Sequence, residues 1–422
     1  MKTSILATLA TLTLCAAALA NPADPQISNF SVSQNASRVV HVAYTLDEPA
    51  CVTIDVLTNG VSIGGANIQN LVGDVNKLVP AGSHGIDWYA HRSWPGWRFD
   101  DPTVSVQVTA WATNAPPDVM DIDLQTKVIT YYSGLDFLPD GGLVNDKYRT
   151  THLVMKKVHA AGKTFMMGSP DDGTEYYYAR EKVQHPVTFT KDYYLAIYET
   201  TRRQYALLGG PAYISVYGAQ ETPYGTDDPD QCPIGRVLYN SLRGSTECGI
   251  NWPDTGSSVG NFTLSSSTLT SYLAAIRANI GLDLDIPTEA QWEFACRAGT
   301  TTAIYTGKNN TTQWTNPDVH DLAWYTGNSG QAPHAVGRKQ PNAWGFYDMY
   351  GNYHEWCLDW YEDSYSSASV TDPKGPVSGS QRVIRSAHYW EGSQGMRSAF
   401  RFSLSPGSAN PYDGFRLCLP LD

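Results

Sequence analysis

Apolar and polar residues alternate with a period of two through residues 27–112. Val40, Val42 and Tyr44 fall on one face of a first strand, and Val52, Ile54 and Val56 mark a second. Residues 85–89 (GIDWY) and the series Val104, Val106, Val108, Ala110 give two more. Turn signals separate them: Asp47-Glu48-Pro49, Thr58-Asn59-Gly60, Ala81-Gly82-Ser83 and residues 93–96. Strands at this spacing, with no helical pattern between them, predict a small all-β sandwich over residues 21–114, immunoglobulin-like or fibronectin-like. No catalytic constellation falls in it, so it reads as a spacer or adhesion module. Asn114-Ala115-Pro116-Pro117 marks its end, and residues 115–150 read as a linker with one short strand.

The pattern changes from Thr151 onward. Residues 165–169 (FMMGS) end a strand in a Gly turn, a strand follows at 185–189, and Tyr193–Tyr198 (YYLAIY) leads into a helix that Gly209-Gly210 stops. Leu269, Leu273, Ile276 and Ile280 keep helical spacing up to Gly281. The clearest local signal is residues 286–292 (IPTEAQW). Thr288 and Gln291 have the spacing of a capping box, and the helix they open should stop at Gly299. Trp292 with Ala295 or Cys296 makes its buried face. Beyond Gly299 only turns, short strands and aromatic residues remain.

Composition narrows the setting. Hydrophobic residues make up 42% of 422 residues, enough for a sizeable core, and the length favours two domains. Aromatics reach 12% and charged residues only 17%, which suits irregular segments pinned by aromatic packing. A formal net charge of -12 argues against nucleic acid as partner. Lys2, the apolar run 5–17 and Ala18-Leu19-Ala20 form a secretory leader, with cleavage expected after Ala20. No later stretch is apolar enough to span a bilayer, so export outside the cell or to the envelope is expected. Six cysteines follow the leader. In an oxidising compartment Cys232 with Cys248 is the preferred disulfide and Cys296 with Cys418 the second, against buried free thiols for Cys296 and Cys357.

Five motifs occur in one order: FMMGS, YYLAIYETTRRQY, IPTEAQWEFACRAGT, NAWGFYDMYGNYHEWCLDWY and RVIR…MRSAFR…GFRL. They resemble the formylglycine-generating enzyme family, also called sulfatase-modifying factor domains, over about residues 150–420. The resemblance implies an α+β domain over 151–422 with a C-type-lectin-like fold. It also implies a Ca²⁺ site, with side-chain oxygens from Asp348 and Glu355 and main-chain carbonyls from Gly351 and Tyr353. Hard oxygen donors on a Gly turn suit that ion. His354 stands where the family usually has Trp.

The family's oxidases use two Cys thiolates to bind copper and convert a substrate cysteine to formylglycine. The matching positions here are Glu391 and Met396, and the RGGS motif is altered to Ser386, Ala387 and His388. Without thiolates copper is not expected. The altered site, His388, Glu391 and Met396, then reads as the floor of a recognition surface for an extracellular protein or glycan. Tyr389, Trp390 and Tyr412 supply aromatic contact; Glu391, Arg397 and Arg401 supply polar contact. Arg397 and Arg401 equally suit a role as core staples. The similarity of this segment to the variable end of retroelement-diversified lectin-like proteins points the same way. The alternative is an oxidoreductase, either of the formylglycine-generating type or with nonheme iron, in which His388, Glu391 and the nearby His354 form a two-His-one-carboxylate site.

Overall fold

The computed structural model describes residues 2–8 (backbone course only), 24–95, 103–175, 178–210, 220–243, 271–408 and 410–421. The chain forms two units, Met1–Asp123 with Val128–Tyr148, and Leu124–Lys127 with Arg149–Asp422.

The first unit is two antiparallel sheets over one core. One sheet contains β1 (Lys2–Thr8), β4 (Ala50–Thr58), β5 (Val61–Ser62), β7 (Lys77–Val79) and β9 (Val104–Ala112), in the order β1-β9-β4-β5 with β7 also on β4. The other runs β2-β3-β8-β6: β2 (Ile27–Gln34), β3 (Val40–Leu46), β8 (Gly82–Trp88) and β6 (Leu71–Gly73). Period-two alternation has its physical cause here. Val40, Val42 and Tyr44 on β3, Val52, Ile54 and Val56 on β4, and the series from Val104 to Ala110 on β9 all point into the shared core. Asn59 and Gly60 both take positive φ, which gives the tight β4–β5 turn its strand-matching twist. A short helix α1 (Ala90–Ser93) follows β8. Residues 9–23, which include the expected cleavage point, lie outside the described residues, while Lys2–Thr8 pair along β9.

The stretch 115–150 is not a linker. It carries a hairpin of β10 (Val119–Asp123) and β11 (Ile129–Tyr132), and the Tyr131 amide donates to the Asn76 carbonyl. Residues 119–122 are buried without alternation, so no period-two signal marks β10. A helical turn α2 (Lys147–Thr150) closes the stretch.

In the second unit β12 (His152–Val158) pairs with β15 (Tyr193–Ala196), which pairs with β21 (Cys418–Pro420). A smaller sheet joins β13 (Thr164–Met167), β14 (His185–Thr188) and β17 (Val370–Thr371). A third has the order β19-β18-β16-β20: β16 (His354–Trp360), β18 (Arg382–Arg385), β19 (Arg401–Leu404) and β20 (Asp413–Gly414). The helices are short: α3 (Arg202–Leu207), α4 (Tyr239–Arg243), α5 (Tyr272–Ile280) and α6 (Glu289–Arg297). Thr288 and Gln291 make the reciprocal capping box of α6, and Thr201 with Gln204 repeats it on α3. Ala298, rather than Gly299, takes the first left-handed position at the end of α6. No helix among the described residues is long and apolar enough to cross a membrane.

Cys296 and Cys418 are free, buried thiols, which corrects the expected second disulfide. Both fill apolar interior as small residues do. Cys232 is also free and buried, and its expected partner Cys248 lies outside the described residues.

Candidate functional site

The site grows from the β16–β18–β19–β20 sheet. Glu355 sits opposite Arg385, Arg385 opposite Arg401, and His354 beside Asp413 in parallel register. These pairings set two neighbouring environments, one closed and one open.

The closed one is a set of buried arginines. Arg385 meets Glu289 at 3.0 Å and Glu293 at 2.9 Å. Arg401 forks onto Glu289 at 2.7 and 2.9 Å and donates to the carbonyls of Arg180 and Glu362. Arg397 forks onto Glu181 at 2.6 and 2.8 Å. Arg416 forks onto Glu355 at 3.0 and 2.8 Å. All four guanidinium groups are fully enclosed. Arg397 and Arg401 are therefore internal staples, not ligand contacts, because both are buried with their planar forks set on buried carboxylates.

The open environment lies past Ser386, whose positive φ turns the chain off β18. His354, at the start of β16, points Nδ1 at Asp413 Oδ1 and Nε2 at Glu391 Oε2, each at 3.3 Å. Glu391 Oε2 also accepts the amide of His388 at 3.1 Å. The His388 ring stacks on Tyr412 with centroids 3.6 Å apart, stands edge-on to His354, and takes the Trp390 amide on Nδ1 at 3.2 Å. One ligand atom from each of His354, His388 and Glu391 falls within 4.8 Å of the others.

Burial works against charge on His354, but hydrogen bonds to Asp413 and Glu391 carry it up to about 9. Burial and the neighbouring His354 push His388 down to about 3, so it stays a neutral imidazole. Burial opposes charge on Glu391 too, yet the His354 bond holds it below the usual carboxylate range.

Around this cluster the expected contact residues divide. Trp390 is 54% exposed and Phe402 is 39% exposed, Tyr412 is half-buried, and Glu391 shows its side chain at the edge. Tyr389 is buried against Tyr353 and beneath Trp390. Met396 is fully buried, with no access to solvent.

The four residues of the expected cation site lie in the loop before β16 and at its start. Asp348 accepts the Gly337 amide on Oδ2, while its buried Oδ1 has no hydrogen-bond partner. Burial, with Glu355 nearby, pushes Asp348 up to about 6. Gly351 has positive φ and presses on Trp324, where a Cβ would fall 2.1 Å from a carbonyl oxygen. The Tyr353 amide donates to Glu199 Oε1. Glu355 has both oxygens engaged by Arg416 and by Trp292 Nε1. Glu199 is a residue that sequence reasoning passed over. It anchors Asn352 and Tyr353, and its only sequence signal is a carboxylate directly after the apolar YYLAIY run. Three buried carboxylates, Glu199, Asp348 and Glu355, thus gather near Arg416. The orphan oxygen of Asp348 is a hard donor of the kind Ca²⁺ takes, while both oxygens of Glu355 are already engaged.

The family model described as the sulfatase-modifying factor enzyme 1-like domain matches residues 146–420. Among curated relatives, the formylglycine-generating enzyme of Thermomonospora curvata is 35% identical over 148 residues, covering 31% of this chain and 48% of its own. That of Streptomyces coelicolor is 34% identical, covering 31% and 45%. The serine/threonine-protein kinase pkn1 of Chlamydia pneumoniae is 33% identical, covering 31% and 20%. The matched part spans less than half the length of each of these relatives. Among solved structures, Treponema denticola variable protein 1 aligns over 64% of this chain and 95% of its own, at 22% identity and a TM-score of 0.49. PvdO from Pseudomonas aeruginosa aligns over the same shares at 22% identity and a TM-score of 0.44. By the extent of the family match, the chain belongs to the sulfatase-modifying factor enzyme 1-like family.

Proposed function

We propose that this family member is a non-oxidase binding or scaffold module, with its recognition site at the recess formed by His354, residues 388–396 and Tyr412. One observation carries the reading. The two positions that hold thiols in the resembling oxidases are an ion-paired carboxylate, Glu391, and a sealed thioether, Met396. The five described free cysteines are buried, and burial pushes the Cys232 and Cys296 thiols up to about 12. Thiolate is the form that Cu(I) takes, and the Cys232 and Cys296 thiols do not ionise near neutral pH.

Exposed Trp390 and Phe402 with Tyr412 supply rigid aromatic area, and Glu391 supplies a polar edge. That mix suits an extracellular protein or glycan ligand. The rest of the proposal follows from the sequence. Residues 1–20 act as a secretory leader, and the first unit is an immunoglobulin-like or fibronectin-like module carrying a C-type-lectin-like second unit. A structural Ca²⁺ is held by Asp348, the carbonyls of Gly351 and Tyr353, and Glu355.

The test is an oxidation assay. Full-length protein supplied with Cu(I), O₂ and a peptide bearing a sulfatase-type cysteine motif is expected to form no formylglycine. Turnover would overturn the non-oxidase reading.

A further inference from the structure

The recess holds more than an aromatic surface. Two imidazoles and a carboxylate converge at its floor, His354 from β16 and the other two from the turn after β18, and a second carboxylate stands behind His354. We propose that His354, His388 and Glu391 form a binding site for a divalent transition-metal ion, with Zn²⁺ as the fitting probe, and that the ion keeps a coordination position open toward the recess.

Three features carry it. The first is spacing. Donors around one Zn²⁺ at bond lengths of about 2.1 Å lie roughly 3–4 Å apart. His354 Nε2 and Glu391 Oε2, at 3.3 Å, already have that separation, and His388 completes a set within 4.8 Å. The second is orientation. The far nitrogen of His354 faces the buried Asp413, whose other oxygen is tied to the Asn410 amide. A carboxylate behind a histidine fixes which nitrogen faces the metal and strengthens it as a donor. Tyr412, stacked on His388, holds that ring plane. The third is charge. Glu391 and Asp413 bring two formal negative charges to the one imidazole of His354, and among the described residues the four arginines of the adjoining frame are engaged by other carboxylates.

His388 states the one rearrangement needed. Capture through Nδ1 replaces the bond from the Trp390 amide, and capture through Nε2 places a proton on Nδ1 and releases that amide. The donor set is two nitrogens and one oxygen, which suits Zn²⁺, Fe²⁺ or Co²⁺ over Ca²⁺ or Cu(I). Three protein donors leave a fourth tetrahedral position, and the partly exposed Glu391 places it toward the solvent side.

This inference rests on the recess being the functional site, but its failure is separable from that of the non-oxidase reading. The full chain, kept in Ca²⁺ so that the harder site is satisfied, is titrated with Zn²⁺ by calorimetry and with Co²⁺ by visible absorption. One saturable equivalent is expected. His388→Ala and Glu391→Gln should each weaken binding by at least ~10-fold. Asp413→Asn, a positioning change, should weaken it ~10–100-fold and alter the Co²⁺ spectrum, with thermal melts tracking the fold of each variant. Adding acetohydroxamate should shift the Co²⁺ bands. Unshifted bands would overturn the open position. No saturable binding, or binding indifferent to His388→Ala and Glu391→Gln, would overturn the site. Metal binding without peptide oxidation leaves both proposals standing, and peptide turnover would sink the non-oxidase reading alone.

Discussion

The buried arginines and the recess are built from the same run of chain, yet they treat charge in opposite ways. Arg385, Arg397, Arg401 and Arg416 each meet a carboxylate at 2.6–3.0 Å, and no guanidinium reaches solvent. His354 meets Glu391 and Asp413 at a slacker 3.3 Å, and Glu391 is partly exposed. A charge set that is complete within the protein has no use for a ligand, because each guanidinium is already paired with a buried carboxylate. A set in which one imidazolium bridges two carboxylates beside a neutral imidazole, at an open edge, can exchange a proton for a metal cation. Proximity to the family's signature motifs therefore does not make a residue functional; completeness of its pairing decides.

Truncation gives the largest expected separation between the two. Arg401→Ala leaves Glu289 with a buried charge that Arg385 alone must balance, and should cost about 3–5 kcal/mol. Glu391→Ala removes a carboxylate that is a third exposed and slackly paired, and should cost no more than ~1 kcal/mol. Urea denaturation followed by tryptophan fluorescence compares them. Equal losses in the two variants would erase the distinction between frame and recess.

Much of this organisation is legible in sequence, for local reasons. One-sided burial imposes the alternation of β3, β4 and β9, and the Thr288–Gln291 box is complete within four residues. What escapes is long-range or two-sided. β10 is buried without alternation, so a hairpin reads as linker. Arg401 finds Glu289 across 112 positions, and no spacing rule connects them. The His354–Asp413 contact depends on a parallel strand register that only the assembled sheet sets. His388, Glu391 and the nearby His354 are readable as a donor set; the carboxylate of Asp413 behind His354 is not.

Calcium removal is expected to have a middle-sized effect, and it asks whether the loop before β16 behaves as frame or as recess. If a Ca²⁺ sits on the orphan oxygen of Asp348, chelation with EGTA should lower the melting temperature and Ca²⁺ should restore it. At a hundredfold excess over the dissociation constant the stabilisation is about 2.7 kcal/mol. Asp348→Asn should abolish the response. A melt that ignores Ca²⁺ would mean that Arg416 already balances the loop's carboxylates, and the loop would belong with the closed frame.

The smallest expected effect concerns a place on β16 where the frame carries excess acid. Asp359 on β16 is buried, accepts the Glu289 amide at 2.7 Å, and faces the Glu289 charge, with Arg401 and Arg382 as the cations that oppose it. Burial first, then Glu289, pushes it up to about 7 despite those arginines. An unfolded aspartate titrates near ~3.9, so between about pH 4 and 7 the folded chain holds a proton that the unfolded chain has lost. This group's contribution to stability therefore falls as pH rises through that window and levels off above about 7. Asp359→Asn keeps an acceptor for the Glu289 amide and carries no titrating proton. The variant should match the wild type near pH 5 and exceed it at pH 8 by roughly 1–2 kcal/mol, less than the full linkage because neighbouring arginines can reorient. The difference between the two proteins isolates Asp359 from the general repulsion of an acidic chain. A variant that loses stability at pH 8 would show Asp359 to be an ionised, fully paired member of the frame, and would close that gap in its charge balance.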